Sequence, residues 1–356
     1  MFDIDGAVEA TVPDEGVAAH YGDPAREQRA MAAGRSVGAG WSGEQGEVLV
    51  DRSNRGVVRV TGADRLTWLH SLTSQHLERL APGVTAQALV LSPQGHLEHH
   101  LTLTDDGTST WAHVEPGTAP ALVEYLDSMR FMMRVEVTDM TAELGVLTLA
   151  GPKVAGLPAA GEGVAVAVAE DPFGISLVVP RDRIADLAGK LSQDVAGIWA
   201  YEAARIAAHV PRPGLDTDHK TLPHEIGLIE TAVHLNKGCY RGQETVARIH
   251  NIGHPPRRLV FLHLDGSVDR LPEHGVPITT QDGTLVGFAG SSARHYELGP
   301  IGLGLVKRTV PMDATLLADG IAAAQEVIVP PDAGANVKVA PRRDFLPPPP
   351  ASRKLL

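Results

Sequence analysis

The residues with the greatest chemical potential lie together in Lys237-Gly238-Cys239-Tyr240-Arg241-Gly242-Gln243-Glu244, which holds the only cysteine of the 356-residue chain. Gly238 and Gly242 allow the backbone to turn sharply around the sulfur and leave it uncovered by immediate neighbours. Lys237 and Arg241 lie two residues to either side of Cys239, and cations held that close favour the thiolate, the form that attacks electrophiles and binds metals. Gln243 completes the polar setting. The bland alternative is a buried structural cysteine, because free cysteine is among the most buried residue types. A single thiol rules out an internal disulfide, CxxC redox or zinc chemistry, and an iron–sulfur cluster held by this chain's thiolates alone. What remains for Cys239 is a transient role: one ligand to a cluster shared with a partner, a nucleophile, or a redox-sensitive thiol.

The other chemically capable residues carry weaker signals. His96, Glu98, His99 and His100 resemble a metal set, but strand alternation sends His99 to the face opposite His96 and His100. Ordinary strand histidines are therefore the expectation, and no resident metal is expected. His250 and His254 flank Asn251-Ile252-Gly253 in an expected loop and suit either proton transfer or plain polar linkage. Gly302-Leu303-Gly304 is too short for a dinucleotide fingerprint. Trp68, Trp111 and Tyr125 read as core residues.

The elements that must position these groups are legible from period and punctuation. Pro24 to Ala33 reads as a short helix in an N-terminal arm, residues 1–44. Val57 to Thr61 is a strand feeding a helix that Asp64 caps and that runs to about Leu80, with Leu66, Leu69, Thr73, Leu77 and Leu80 as its stripe. Ala86 to Leu91 and His96 to Thr104 flank Pro93-Gln94-Gly95 as a hairpin. Trp111 to Glu115 is a strand, Ala121 to Met129 an amphipathic helix, and Val135 to Thr138, Gly145 to Leu149 and Ile175 to Val179 are strands. Arg181 to Leu191 and Gly197 to His209 are helices. Strands mixed with helices without regular alternation indicate an α+β fold. After Pro255-Pro256 the chain turns to short strands, Arg258 to Leu264, Val276 to Thr280, Leu285 to Ala289, Ile301 to Val306 and Glu326 to Val329, with Asp282-Gly283 as a hairpin turn. This reading gives a main region at 45–255, a small β-barrel at 256–340 and a proline-rich, extended tail at 341–356.

Composition sets the outer limits. The 43% of hydrophobic residues is enough for substantial cores, and the net charge of -12 opposes general nucleic-acid binding. No stretch approaches the roughly 20 apolar residues of a membrane span, and the acidic start Met1-Phe2-Asp3-Ile4-Asp5 lacks the features of a secretory signal. A cytoplasmic location, with neither nucleic acid nor membrane as partner, is the expectation.

The cysteine segment, continued by Thr245-Val246-Ala247-Arg248, resembles the signature of the YgfZ-type folate-binding proteins, relatives of the glycine-cleavage T-protein (aminomethyltransferase). The resemblance runs from about Val57 to Arg308. Val60-Thr61-Gly62-Ala63-Asp64-Arg65-Leu66 looks like the family's early helix entry, and Pro211-Arg212-Pro213-Gly214-Leu215-Asp216 with Leu222-Pro223-His224-Glu225 resembles its approach to the cysteine. It implies two intertwined α+β lobes and a C-terminal β-barrel arranged around a central channel that holds tetrahydrofolate or a derivative. For such a ligand Arg248, Arg257 and Arg258 are the candidate cations and Tyr240 a further contact. It also implies a role in assembly or repair of iron–sulfur clusters, with client enzymes or the assembly machinery as partners and Cys239 as the working atom. The alternative is a tetrahydrofolate-dependent aminomethyltransferase or demethylase. Two acids of the T-protein pattern are absent: the folate-facing hairpin reads His96-Leu97-Glu98-His99-His100, without aspartate, and Ala204-Arg205-Ile206-Ala207 has Ala207 where a glutamate would stand.

Overall fold

The computed structural model describes residues 2, 4–33, 47–150, 163–191 and 194–334. The tail at 341–356 lies outside the described residues, as does most of the Gly/Ala-rich connection before Gly163. Three β-bodies carry the fold. The first is a five-stranded antiparallel sheet in the order Thr85–Leu91, Leu97–Asp105, Ser109–Val114, Gly56–Thr61, Glu136–Asp139. Helices Arg65–Leu72 and Ala119–Ser128 cover one face, where Trp68, Leu69, Leu122 and Leu126 meet Val58, Val60, Leu101 and Leu103.

The second sheet runs Ala167–Asp171, Gly174–Pro180, Leu144–Ala150, Val48–Asp51, Asp194–Ala196, and its last pair is parallel. Leu144–Ala150 is buried at every position, as expected of a strand covered on both faces. Helix Ile184–Leu191 packs on one side through Ile184 and Leu187. On the other, Ala10, Val17, Ala19 and Met31 from the N-terminal segment share a core with Ile198, Ala200 and Tyr201 of helix Ile198–Ala207. Helix Pro24–Ala33 forms as its sequence predicts.

The two sheets are interlaced. Val48–Asp51 belongs to the second and the next strand, Gly56–Thr61, to the first; Glu136–Asp139 ends the first and Leu144–Ala150 returns to the second. Beyond Pro256 six strands, Arg257–Leu264, Pro277–Thr280, Leu285–His295, Gly299–Lys307, Leu316–Ala318 and Ile321–Val327, close into a barrel around Val260, Leu262, Ile278, Leu316 and Ile321. The Asp282-Gly283 turn is present, with Gly283 at φ +83° and the Thr284 amide donating to Asp282.

Three local expectations need correction. The helix after Asp64 ends at Leu72, because the Thr73 amide and hydroxyl both donate to the Leu69 carbonyl, at 3.0 and 2.8 Å, while the backbone turns extended. Leu77 is core without being helical. Asp64 does not cap through its side chain; its carboxylate takes the Arg134 guanidinium and amide instead. The last barrel strand is Ile321–Val327, earlier than Glu326 to Val329, and Leu316–Ala318 is an unpredicted strand.

Candidate functional site

A cavity of about 1080 Å³ opens among these bodies. Its walls come from the first sheet (Gln87, His100, Thr102, His113), the crossover between sheets (Arg52, Asn54, Arg55), Asp171 of the second sheet, helix Ile198–Ala207, the segment from Val210 to Asn236, and the chain after the last barrel strand. The wall is an ion-pair network centred on Arg212. The Arg212 guanidinium donates twice to Asp14, both at 2.8 Å, and through Nε to Glu115 at 2.6 Å. Glu115 also accepts from Arg55 at 2.7 Å, and Glu202 from Arg205 at 2.6 Å. Arg205 reaches Asp216 at 3.0 Å, and Arg52 pairs with Asp171 at 2.7 Å.

Electrostatics fix the protonation states. Burial alone would raise Glu202, but Arg205 and Arg212 outweigh it and hold the carboxyl at about 2. Glu115 is likewise pulled well below the usual carboxylate range by Arg55 and Arg212, against burial. The imidazoles go the other way. Burial lowers His100 and His224 to about 4, and His113 falls well below its ordinary value through burial and the nearby Arg55 and Arg52. The His100 ring lines the cavity yet lies deep below the outer surface, so loss of bulk solvation dominates its titration.

Two of these imidazoles keep bonding capacity. His113 Nδ1 accepts from Arg55 Nε at 3.0 Å, which puts the ring proton on Nε2, a buried atom without a partner among the described residues. His224 is 5% exposed, and neither of its ring nitrogens has a partner among the described residues.

The cysteine loop borders this cavity. His234, Leu235 and Asn236 are part of the wall, and Cys239, three residues on, is exposed. Lys237 anchors the loop: its ammonium donates to the His70 carbonyl and, at 2.5 Å, to the Thr73 carbonyl, groups a helix end leaves without intrahelical donors. Burial lowers that ammonium to about 8. Gln243 Nε2 donates to the Lys237 carbonyl at 3.4 Å. Gly242, at φ +84°, begins helix Gln243–Ile252, and a Cβ there would stand 2.7 Å from the Ser92 carbonyl. The loop is thereby seated on the Ser92–Gly95 hairpin turn.

The expected site residues divide accordingly. Cys239 is open, but its flanking cations have other partners: Lys237 the two carbonyls, and Arg241 the Glu98 carboxylate at 3.1 and 3.2 Å. Tyr240 is 8% exposed and belongs to the core beneath the loop, its ring 4.9 Å from Lys237 Nζ. Arg248 lines a second cavity of about 710 Å³ with His96, Glu244 and His254. Arg257 is tied to Asp218 at 2.7 Å and Glu225 at 2.9 Å, and Arg258 is buried at 0% exposure, donating to the Val310 carbonyl and Gln325. None of Arg248, Arg257 and Arg258 lines the central cavity. Nor do His96 and His100 share a site: His96 precedes the strand, which begins at Leu97, and faces the second cavity, whereas His100 faces the first and meets Gln87 at 2.9 Å. The cavity arginines were not anticipated as ligand contacts, although Arg212 lies in the quoted Pro211-to-Asp216 segment.

The profile of the GCVT N-terminal domain matches residues 41–173. A chloroplastic Arabidopsis thaliana protein with a provisional transferase name is 28% identical over 301 residues, 74% of this chain and 66% of that one. The mitochondrial iron-sulfur cluster assembly factor IBA57 homolog of Mycosarcoma maydis is 28% identical over 224 residues, 59% of this chain and 55% of that protein. The chain thus spans between about half and two thirds of these relatives. The crystal structure of glycine cleavage system aminomethyltransferase T from Bartonella henselae superposes with a TM-score of 0.72, covering 94% of this chain and 96% of that one at 19% identity. Among the described residues no helix is long and apolar enough to cross a membrane.

Proposed function

We propose that this chain, which belongs to the aminomethyltransferase-like superfamily, is a YgfZ-type accessory factor: it binds a reduced folate in the central cavity and assists assembly or repair of iron–sulfur clusters in client enzymes through Cys239. The observation that carries the reading is the exposed thiol on an anchored loop whose preceding residues line a cavity of about 1080 Å³. Similarity to the Mycosarcoma IBA57 homolog supports the cluster role. The cluster is cargo here, because one thiolate leaves at least three ligands to be supplied by a partner or small thiols. A reducing compartment suits the free thiol.

The cavity residues fit a pterin. The unpartnered nitrogens of His224 and His113 offer bonding capacity, and the ionised Glu115 and Glu202 accept from ring N–H groups. When bound, tetrahydrofolate supplies a one-carbon carrier; this chain's residues bind and orient its ring. Each cavity arginine named above already has a carboxylate partner, so the tail gains no dedicated clamp from them.

Carboxylates in the cavity lend some support to the alternative, a tetrahydrofolate-dependent aminomethyltransferase or demethylase. Their chemistry argues against it. A glutamate held at about 2 by two arginines is a poor general base at neutral pH, and Ala207 offers none.

The test is complementation of a deletion strain with Cys239→Ser. The variant should fold and bind tetrahydrofolate as the parent does, yet fail to restore client iron–sulfur enzyme activity; full restoration would refute the role of the thiol. Calorimetry with tetrahydrofolate probes the cavity separately, and absence of heat at millimolar ligand would refute folate binding.

A further inference from the structure

Beside the cysteine loop, but outside the machinery just described, two histidines and a glutamate converge. Helix Arg65–Leu72 ends with His70 in its last turn, and the irregular segment that follows brings in His76 and Glu78. One ligand atom from each of His70, His76 and Glu78 lies within 4.8 Å of the others. The His70 and His76 rings meet edge to face at 4.7 Å, and the His234 ring lies 5.2 Å from His76. His70 Nδ1 is buried and has no hydrogen-bond partner among the described residues, a condition that is unfavourable unless something binds there.

The surrounding backbone holds this arrangement in place. The His234 amide donates to the Ser74 carbonyl at 2.9 Å, the Ser74 hydroxyl to the Ala232 carbonyl at 2.6 Å, and Gln75 Nε2 to the Thr231 carbonyl at 3.2 Å. The Ser74 amide is bonded to the Leu89 carbonyl and the Leu89 amide to the Ser74 hydroxyl, both at 2.9 Å. The segment that leads to His76 and Glu78 is therefore joined to residues 231–234 and to the first sheet, the kind of support that sets imidazole geometry at a metal.

We propose that His70, His76 and Glu78 form a binding site for a divalent transition-metal ion, zinc or iron(II). Two imidazoles and one carboxylate suit zinc and ferrous iron, whereas magnesium and calcium require all-oxygen sets. Three protein ligands leave coordination positions open, so the ion would be exchangeable. The nearby Lys237 ammonium, bonded to the His70 carbonyl, opposes a dication and sets affinity below that of a structural zinc site. The assignment does not depend on the folate or cluster reading.

The test uses the tag-free full chain, stripped with EDTA and titrated calorimetrically with Zn²⁺ in air and with Fe²⁺ under anaerobic conditions. One ion per chain is expected from one or both metals, in the parent and in Cys239→Ser, with Mg²⁺ failing to compete. Glu78→Gln, at an exposed position that does not threaten folding, should weaken binding about ten-fold, and His70→Gln/His76→Gln should abolish it, with circular dichroism confirming the fold. Absence of binding by both metals, undiminished affinity in the double variant, or loss of the ion in Cys239→Ser alone would overturn the site.

Discussion

Replacing Arg212 with methionine tests whether the cavity wall holds the N-terminal segment in place. In the parent the Arg212 side chain is 7% exposed and faces three carboxylates: Asp14 through two bonds of 2.8 Å, Glu115 at 2.6 Å and Glu202 at 3.4 Å. The carboxylates do not depend on it equally. Glu115 retains Arg55 at 2.7 Å and Glu202 retains Arg205 at 2.6 Å, but among the described residues Asp14 keeps only the Asn54 amide, at 2.9 Å. Methionine preserves the backbone amide that donates to Asp216 at 2.8 Å, and much of the side-chain volume. The variant therefore leaves essentially one buried carboxylate uncompensated. Removing one partner of a buried pair costs about 3–5 kcal/mol; with Asn54 retained, about 3 kcal/mol is expected. Equilibrium urea unfolding at pH 7.5, with hydrogen exchange to locate the opening, should show this loss and faster exchange across residues 8–20. Adding Asp14→Asn should recover roughly half, because it removes the stranded charge. A loss below about 1 kcal/mol, or no recovery in the double variant, would refute the view that Arg212 ties Asp14 into the wall.

Two further predictions concern stability. His100 and His224 are lowered to about 4 in the folded chain by burial, whereas the unfolded chain takes up those protons near pH 6.5. The unfolded state therefore binds more protons between these values, so stability is full above about 6.5 and falls as pH drops toward 4. His224→Asn should flatten that part of the urea-midpoint profile, and an unchanged slope would refute the assignment. Gly242→Ala places a Cβ 2.7 Å from the Ser92 carbonyl at φ +84°; it should cost about 2 kcal/mol, seen as a lowered melting temperature, with faster exchange of the Cys239 loop amides.

Local elements were legible where one rule governed them. The hairpin around Pro93-Gln94-Gly95, helix Pro24–Ala33 and most barrel strands follow period and turn chemistry. The helix beyond Leu72 was not, because Leu77 keeps the apolar spacing while Thr73 turns its hydroxyl back on the helix. Interlacing of the sheets was invisible to periodicity, which reports faces and not partners. The arginines illustrate the same limit. Arg257 and Arg258 are adjacent in sequence, but neighbouring strand residues point to opposite faces: one meets Asp218 and Glu225 and the other enters the barrel. Arg52, Arg55, Arg205 and Arg212, which do line the cavity, come from distant segments that only the tertiary fold brings together.

That dispersal bears on what the network does. A buried ion pair seldom stabilises more than a well-packed apolar replacement, so an arginine and carboxylate wall is a poor device for stability alone. It keeps the cavity polar and its carboxylates ionised, and it fixes the N-terminal segment, the first sheet and helix Ile198–Ala207 relative to one another through Arg212. The segment from His224 to Gly242 carries that order outward: His224 and His234 face the cavity, Lys237 holds the helix end, Cys239 is exposed, and Gly242 sits on the hairpin turn. A ligand held by His224 or His234 would thus act on the same short segment that presents the thiol. Coupling between cavity and sulfur then needs no transmission across a core, only the stiffness of this anchored loop.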